Sequence, residues 1–274
     1  MNKVVFVCLS IVILIFTEFI DSRDSLLRIY FLNIGQGDSI LIKTPDQKLM
    51  LIDGGPDATV LAQLGAVLPA LTDKIDLVVA THPDKDHVAG LIDVEGRFRA
   101  DRTEINLPLK LELSLQEAAQ KNNSQIIKLD SETDFNFGCC VKVDVLWPYP
   151  GFSDPDTNNN SVSLLISYGS FSMYSGGDLP KQFEEQILLP LDQQLSVIKL
   201  GHHGSRTSTS ERVMERLLPG ISVISAGKDN SYGHPHQEVL AILAKIPTRV
   251  YRTDQQGRIE IDTDGNTYTV KTGD

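Results

Sequence analysis

The segment Thr81-His82-Pro83-Asp84-Lys85-Asp86-His87 places four potential ligands, two imidazoles and two carboxylates, within six positions. Imidazole nitrogens and carboxylate oxygens are the ordinary ligands of divalent transition metals, and crowding them into one turn is costly unless a cation neutralises the carboxylates. A cation held this way acidifies water and polarises a scissile oxygen, a hydrolytic chemistry that requires no nucleophilic Ser or Cys. The plainer reading makes Asp84 or Asp86 the N-cap of a following helix. That reading accounts for one carboxylate and leaves the other groups without a role. Further along, Gly201-His202-His203-Gly204 and His234-Pro235-His236 supply more imidazoles. Their unperturbed pKa near neutrality suits proton transfer or substrate binding. For His234 and His236, which precede a helix starting near Gln237, capping or loop packing is the competing reading. Ser205, Arg206, Thr207 and Ser208 follow the His pair and suit a phosphate group, with serine and threonine equally suited to cap the helix after Ser210.

These groups need elements to hold them. Residues 75–80 form a continuous apolar run, the pattern of a buried central strand, so the first motif sits at a strand's C-terminal end. Before it, residues 28–34, 39–44 and 48–52 alternate like strands and are separated by turn residues, which predicts an antiparallel meander. Residues 57–71 carry apolar side chains at helical spacing on one face. Downstream, helices are expected at 114–122, 181–188, 210–218 and 237–244. Strands are expected at 125–128, 141–146, 162–167, 170–174, 195–200, 221–225, 249–252, 258–262 and 267–271. Two runs of strands, each followed by helices, predict two sheets sandwiched between helical layers. No short-period repeat, low-complexity tract or interdomain linker interrupts the chain.

At this point a resemblance becomes specific. The 82–87 segment resembles the H-x-H-x-D-H signature of the metallo-β-lactamase superfamily, with Asp84 in place of the second His. Six further segments occur in the order seen in the hydrolase domain of ComEC-type DNA-uptake competence proteins: Gly35-Gln36-Gly37-Asp38-Ser39, Leu51-Ile52-Asp53-Gly54-Gly55, Asn158-Asn159-Asn160-Ser161, Ser175-Gly176-Gly177-Asp178, Lys199-Leu200-Gly201-His202-His203-Gly204-Ser205 and Tyr232-Gly233-His234-Pro235-His236. The resemblance runs from about Leu27 to the end. It implies an α+β fold, the αββα four-layer sandwich, as one hydrolase domain over 27–274.

The resemblance also implies roles. His82 and Asp84 would serve one metal position, Asp86 and His87 the other, with Asp178 bridging and His203 as the last ligand. Similarity to phosphorylcholine esterases of the same superfamily implies that His202 contacts the substrate phosphoryl group, although either member of the His pair can be the ligand. Asp86, His202, His234 and His236 are the expected catalytic groups, and Ser205 and Arg206 the expected substrate contacts. Asp53 and Asn160 are expected to orient the ligands by hydrogen bonding; a turn Asp before Gly54-Gly55 is the alternative for Asp53. Two departures from the zinc β-lactamase pattern argue against β-lactam hydrolysis: Asp84 is a hard oxygen donor, and asparagines stand where a strand histidine is expected. An oxygen-rich position shifts preference from zinc towards manganese or magnesium. One or two divalent ions, zinc or manganese, are the expected cofactors.

The remaining composition bounds the partners. The chain has 274 residues, 41% of them hydrophobic and 22% charged, ordinary for a domain with a real core. Net charge is −11, so any polyanion must be held by metals or by a few placed cations. Lys85, Lys181, Lys199, Arg206 and Lys228 are the candidates for such a rim. Of the three cysteines, Cys139 and Cys140 are adjacent and read as small strand residues facing opposite sides, with no disulfide framework implied. Residues 4–20 are largely apolar behind Lys3, which predicts an export signal or short anchor over 1–22 and a domain outside the cytoplasmic membrane. The expected function is a metal-dependent phosphodiesterase or nuclease. Its competitors are a small-molecule or cell-surface phosphoester hydrolase and a non-catalytic binding module.

Overall fold

A computed structural model describes residues 25–105 and 110–273 of the chain. The expected signal or anchor lies outside the described residues, and no helix within them is long and apolar enough to cross a membrane. The first half comprises β1 (Leu27–Phe31), β2 (Ile40–Lys43), β3 (Leu49–Ile52), α1 (Thr59–Val67), β4 (Lys74–Val79), α2 (Lys85–Arg97), β5 (Arg99–Glu104), α3 (Lys110–Lys121) and β6 (Gln125–Ile127). The second comprises β7 (Phe135–Phe137), β8 (Val141–Trp147), β9 (Ser163–Tyr168), β10 (Phe171–Ser175), α4 (Lys181–Leu188), β11 (Val197–Lys199), α5 (Glu211–Leu217), β12 (Ile221–Ile224), α6 (Gln237–Leu243), β13 (Arg249–Arg252), α7 (Thr253–Gln256), β14 (Ile259–Thr263) and β15 (Tyr268–Thr272).

An eight-stranded sheet, ordered β15-β14-β1-β2-β3-β4-β5-β6, faces a seven-stranded sheet, ordered β13-β12-β11-β10-β9-β8-β7. Residues such as Phe31, Ile42, Met50, Val143, Ile166 and Met173 fill the space between the sheets. A second apolar layer joins Leu41, Leu51 and Val78 of the first sheet to Val60, Leu64, Val88 and Leu91 of α1 and α2. A third joins Tyr174, Ile198 and Ile224 to Leu188, Val213, Met214 and Val239 of α4, α5 and α6. The result is the α+β, αββα sandwich the sequence implied. Each sheet mixes an antiparallel part with a parallel part, β3 to β6 in the first and β10 to β13 in the second. Binding groups gather in the crevice beyond the carboxyl ends of parallel strands. Here the loops after β3, β4, β10, β11 and β12 meet along one edge.

Several boundaries differ from expectation for identifiable reasons. Helix α1 stops at Val67 because Leu68 is extended (ψ 147°) ahead of Pro69, where proline disfavours helical backbone in the preceding residue. Strand β5, strand β7 and helix α7 have no counterpart among the expected elements, and α2 enters there only as the helix that Asp84 or Asp86 would cap. β5 is mostly polar (Arg-Ala-Asp-Arg-Thr-Glu) but buries Thr103 and Glu104, and the hydroxyl of Thr103 binds buried Glu95 of α2. Cys139 and Cys140 are not strand residues: they are exposed in the turn between β7 and β8, behind Gly138 (φ 64°), and their sulfurs are joined.

Helix α2 lies unusually close to the loop after β3. Gly90 donates its N–H to the Gly55 carbonyl at 2.9 Å, and a Cβ on Gly90 would come within 2.0 Å of the Gly54 carbonyl oxygen. In an exposed helix Gly→Ala would stabilise by about 1 kcal/mol. Here the clash is with backbone, so the sign reverses: Gly90→Ala is expected to destabilise the chain by roughly 1–3 kcal/mol. Urea denaturation checks this; an unchanged or raised midpoint would refute the close approach.

Candidate metal centre

Asp53 stands at the end of β3 with a positive φ of 59°, a left-handed conformation that Asp tolerates better than most residues. Its carboxylate is 1% exposed and fully engaged. Oδ1 accepts from the Thr81 backbone N–H at 2.8 Å, and Oδ2 accepts from the Thr81 hydroxyl at 2.8 Å and from His87 Nδ1 at 2.8 Å. The Thr81 hydroxyl has thereby spent its proton, so its 3.0 Å contact with His82 Nδ1 has the imidazole as donor. One carboxylate thus sets the tautomer of two histidines, leaving Nε2 of each with a lone pair to offer. The turn-Asp alternative for Asp53 is superseded by this orienting role.

The same rule governs His203. Its Nδ1 donates to the Ser225 carbonyl at 3.1 Å and lies 3.3 Å from Asp38 Oδ1, so its Nε2 also points inward. Asp178, in the loop after β10, is the meeting point. Its oxygens lie 3.3 Å from His87 Nε2, 3.9 Å from His82 Nε2, 3.8 Å from His203 Nε2 and 3.6 Å from His202 Nε2. Asp86 reaches His203 Nε2 at 3.2 Å. His82 Nε2, His87 Nε2 and Asp178 Oδ1 are fully buried, yet none makes an aligned hydrogen bond. Three convergent donors left this way are what a divalent cation would satisfy, and three imidazole nitrogens with carboxylate oxygens are an ordinary donor set for one. The side chains fit the implied metal.

Two tight triads stand out: His82 and His87 with Asp178, and Asp86, His87 and His203, which brings together residues expected at one metal position. Asp84 stands at the rim, 43% exposed, 3.9 Å from His82 Nε2, with Oδ1 accepting from the Thr157 hydroxyl at 2.8 Å. It precedes α2 in the N-cap position but makes no side-chain capping bond. His202 is 29% exposed and opens onto a cleft of about 930 Å³ that Arg206 also lines.

Three expectations are corrected. Asn160 does not touch the ligands; its buried amide bonds the backbone of Asp154 and Asp156, which shapes the loop that carries Thr157 to Asp84. Ser205 is 3% exposed with its hydroxyl 2.9 Å from that of Thr207, so it builds the loop and does not face the cleft. Lys199 is fully buried and paired with Asp38, so it is no part of a cationic rim. His236 Nδ1 accepts from the Arg206 N–H at 3.2 Å, the loop-packing alternative, while its ring stands 4.8 Å from that of His234. His234 lies 5.5 Å from His202 and 6.0 Å from His203, ring centre to ring centre, beside the centre as expected.

Sequence reasoning missed Asp38. It read as a turn residue, yet its buried carboxylate joins Lys199 to His203. Proximity alone would make Asp38 a metal ligand, but the ammonium of Lys199 already serves as its cation. The available signal was the Gly35-Gln36-Gly37 run, where Gly37 (φ 140°) brings its backbone against the Asp86 carbonyl, closer than a Cβ would allow.

A family model described as the beta-lactamase superfamily domain matches residues 49–198, the span from β3 through β11. The chain belongs to the metallo-β-lactamase superfamily. ComE operon protein 3 of Bacillus subtilis (strain 168) is 30% identical over 276 residues, covering 93% of this chain and 35% of that protein. Competence protein ComA of Neisseria gonorrhoeae is 28% identical over 236 residues, covering 82% and 31% respectively. The chain therefore spans about a third of the length of these curated relatives. Among solved structures, the metallo-beta-lactamase fold protein YhfI of Bacillus subtilis has a TM-score of 0.57 at 14% identity, covering 84% of this chain and 97% of that one. That likeness is one of fold. The chain is a hydrolase of this superfamily, related to competence proteins, with His and Asp groups able to bind metal.

Electrostatics in this hydrolase follow from burial and close charges. Burial and the neighbouring His87 push His82 down to about 4. Burial also works against a charge on His203, but the Asp178 and Asp38 carboxylates outweigh it and raise the group to about 9. His87 is raised well above its usual range in the same way, by Asp178 and Asp53 against burial. Asp178 is held well below the carboxylate range, because His87 and His203 overcome the cost of its burial. His234 is lowered to about 4 by burial and by the charges of His203 and His202.

The ion-free chain therefore keeps protons on His87 and His203 at neutral pH. A folded-state pKa raised from 6.5 to about 9 stabilises fully below pH 6.5, and that stabilisation is lost as pH rises through about 9. For His203 the total is roughly 3 kcal/mol. We predict that the melting temperature of EDTA-treated chain falls across this window. Zinc or manganese, which replaces those protons, should remove the slope. Thermal melts at stepped pH with and without metal check it, and a flat ion-free profile would contradict the assignment.

Proposed function

We propose that the chain is a metal-dependent phosphodiesterase that hydrolyses single-stranded DNA outside the cytoplasmic membrane, with a site of ComEC type. The observation that carries this reading is the convergence of three oriented imidazole Nε2 atoms on Asp178, which His202 connects to an open cleft. The resemblance to competence proteins supports DNA as substrate, and the apolar stretch at 4–20 supports an extracytoplasmic location.

In this reading His82 and Asp178, with Asp84 beside them, would hold one cation, and Asp86, His87 and His203 the other; zinc or manganese suits the set. When bound, such ions polarise a phosphoryl oxygen and acidify water. The chain's own groups do the rest. Asp53 and Thr81 keep His82 and His87 facing inward, and Asp38 and Ser225 do the same for His203. His202, part-exposed at the cleft, meets the substrate phosphoryl oxygens, and Arg206 approaches the flanking charge. His234, whose ring stands 5.5 Å from that of His202, is the neighbouring imidazole available for proton exchange at that contact.

One observation favours a second reading. The cleft is lined by Lys181, Arg206 and Arg212 but also by Asp156, Glu185, Glu211 and Glu238. Arg212 is paired to Glu185 at 3.1 Å, and Arg206 stands 3.8 Å from Glu238. A wall of mixed sign suits a small phosphoester, including a zwitterionic one, as well as a polyanion.

The readings separate in one experiment: manganese-loaded protein on single-stranded DNA and on bis-p-nitrophenyl phosphate, with Asp86→Ala alongside. Both substrates should be cleaved, and Asp86→Ala should lower both rates by on the order of 10²-fold or more. Cleavage of the small diester alone would sink the nuclease reading and leave the small-ester one. No cleavage and no retained metal would leave only a binding module. Asp53→Asn should weaken metal affinity about 10–100-fold, read by competition with a chromogenic chelator; undiminished affinity would mean that Asp53 orients nothing.

A further inference from the structure

Tyr232 is 65% exposed, although a tyrosine ring left in water forgoes much of the stabilisation that burial gives. The loop that presents it is not loose. Asn230 Nδ2 donates to the carbonyls of Gly227 at 2.9 Å and His234 at 2.6 Å, and Asn230 Oδ1 accepts from the His234 N–H at 3.0 Å. Gln36, from the loop after β1, accepts from the Gly227 N–H at 3.0 Å and reaches His234 Nδ1 at 3.4 Å. The Tyr232 ring is stacked beside that of His234, with centroids 5.8 Å apart and planes 19° from parallel, while most of the residue stays exposed. His234 in turn stands beside His202 and His203. A flat aromatic surface is thus held rigidly one ring beyond the place where a phosphoryl group would meet His202.

We propose that Tyr232 is a stacking platform for the nucleobase next to the scissile phosphate, so that the substrate is a single-stranded nucleic acid gripped by base as well as by backbone. This rests on the phosphodiesterase reading and deepens it by assigning a recognition residue for the base. Successive nucleotides repeat at about 3.4 Å along a stacked strand, so a base one or two positions from the bound phosphate falls within reach of a ring at this distance. Stacking on an aromatic face is tolerant of sequence because every base presents a π-surface. The cleft's carboxylates make such a contact necessary, since cations alone cannot supply the grip in a chain of net charge −11. A quaternary ammonium is the other ligand aromatic rings attract, but it is best enclosed by a cage of several rings. Tyr232 and His234 form a single near-parallel pair, with Tyr232 largely exposed.

The test uses the manganese-loaded full chain and fluorescence anisotropy with two labelled oligomers of equal length and cleavage-resistant phosphorothioate backbones. One is oligodeoxythymidylate and the other an abasic strand with the same phosphorothioate linkages. Tyr232→Ala should weaken binding of the thymidylate strand by roughly 5- to 150-fold, Tyr232→Trp should restore it, and the abasic strand should bind wild type and variants alike. Equal loss on both strands, or no loss on either, overturns the platform. So does a loss confined to choline phosphate, added as competitor. Hydrolysis of bis-p-nitrophenyl phosphate by manganese-loaded wild type is read in parallel: its failure counts against the phosphodiesterase reading, whereas the anisotropy alone decides the role of Tyr232. Unchanged metal content and melting temperature in Tyr232→Ala separate a lost contact from a misfolded loop.

Discussion

The bonds made by the Asp53 carboxylate are the constraint on which the centre rests. A buried carboxylate is costly unless its oxygens are partnered. Here the partners come from two elements, the segment after β4 and the first turn of α2, and Asp53 itself ends β3. Satisfying the charge locks three pieces of chain together and fixes two imidazole tautomers at once. The backbone reinforces this: Gly54 donates to the His87 carbonyl at 2.7 Å, and Asp38 donates to the Asp86 carbonyl at 3.1 Å. Stability and chemistry are not separable here, because the hydrogen bonds that close the loops are those that aim the ligands.

The second sheet contributes its half by a different device. Lys199, the last residue of β11, is fully buried, and its ammonium meets Asp38 from the first sheet. That pair spans the two sheets and presents Asp38 to His203. His202 and His203 are both left-handed, with φ of 50° and 56°, a backbone state that costs of order 1–3 kcal/mol per residue and persists where surroundings over-determine it. The consequence is two adjacent side chains that face different ways. His203 turns into the buried centre, and His202 turns to the cleft.

Charge is managed by the same economy. Asp38, Asp53 and Asp178 are buried carboxylates, and each is balanced by an imidazole or an ammonium in the ion-free chain. A metal bound here would exchange protons on His87 and His203 for ions, which would couple loading to pH without adding a group. Outside this centre the cleft carries both signs of charge, so recognition depends on placed contacts more than on overall field.

The sequence by itself determined the elements and the ligand inventory. Apolar periodicity marked most strands and helices, because burial against a partner layer imposes period 2 or 3.6 on the side chains. Every histidine of the chain lies in one of three short segments, so the crowding of ligands was legible as composition. Only the tertiary structure decided the pairings. It joined His82 with His87 around Asp178, set Asp84 at the rim, buried Lys199, withdrew Ser205 from the substrate side and turned Asn160 from the ligands to the loop backbone. It also gave Asp38 a role, and produced β5 from a polar stretch whose buried Thr103 finds a partner in Glu95. The reason is physical: spacing along a chain fixes which side chains share a face, whereas hydrogen-bond and charge partners come from segments up to 161 residues apart, as Lys199 and Asp38 do.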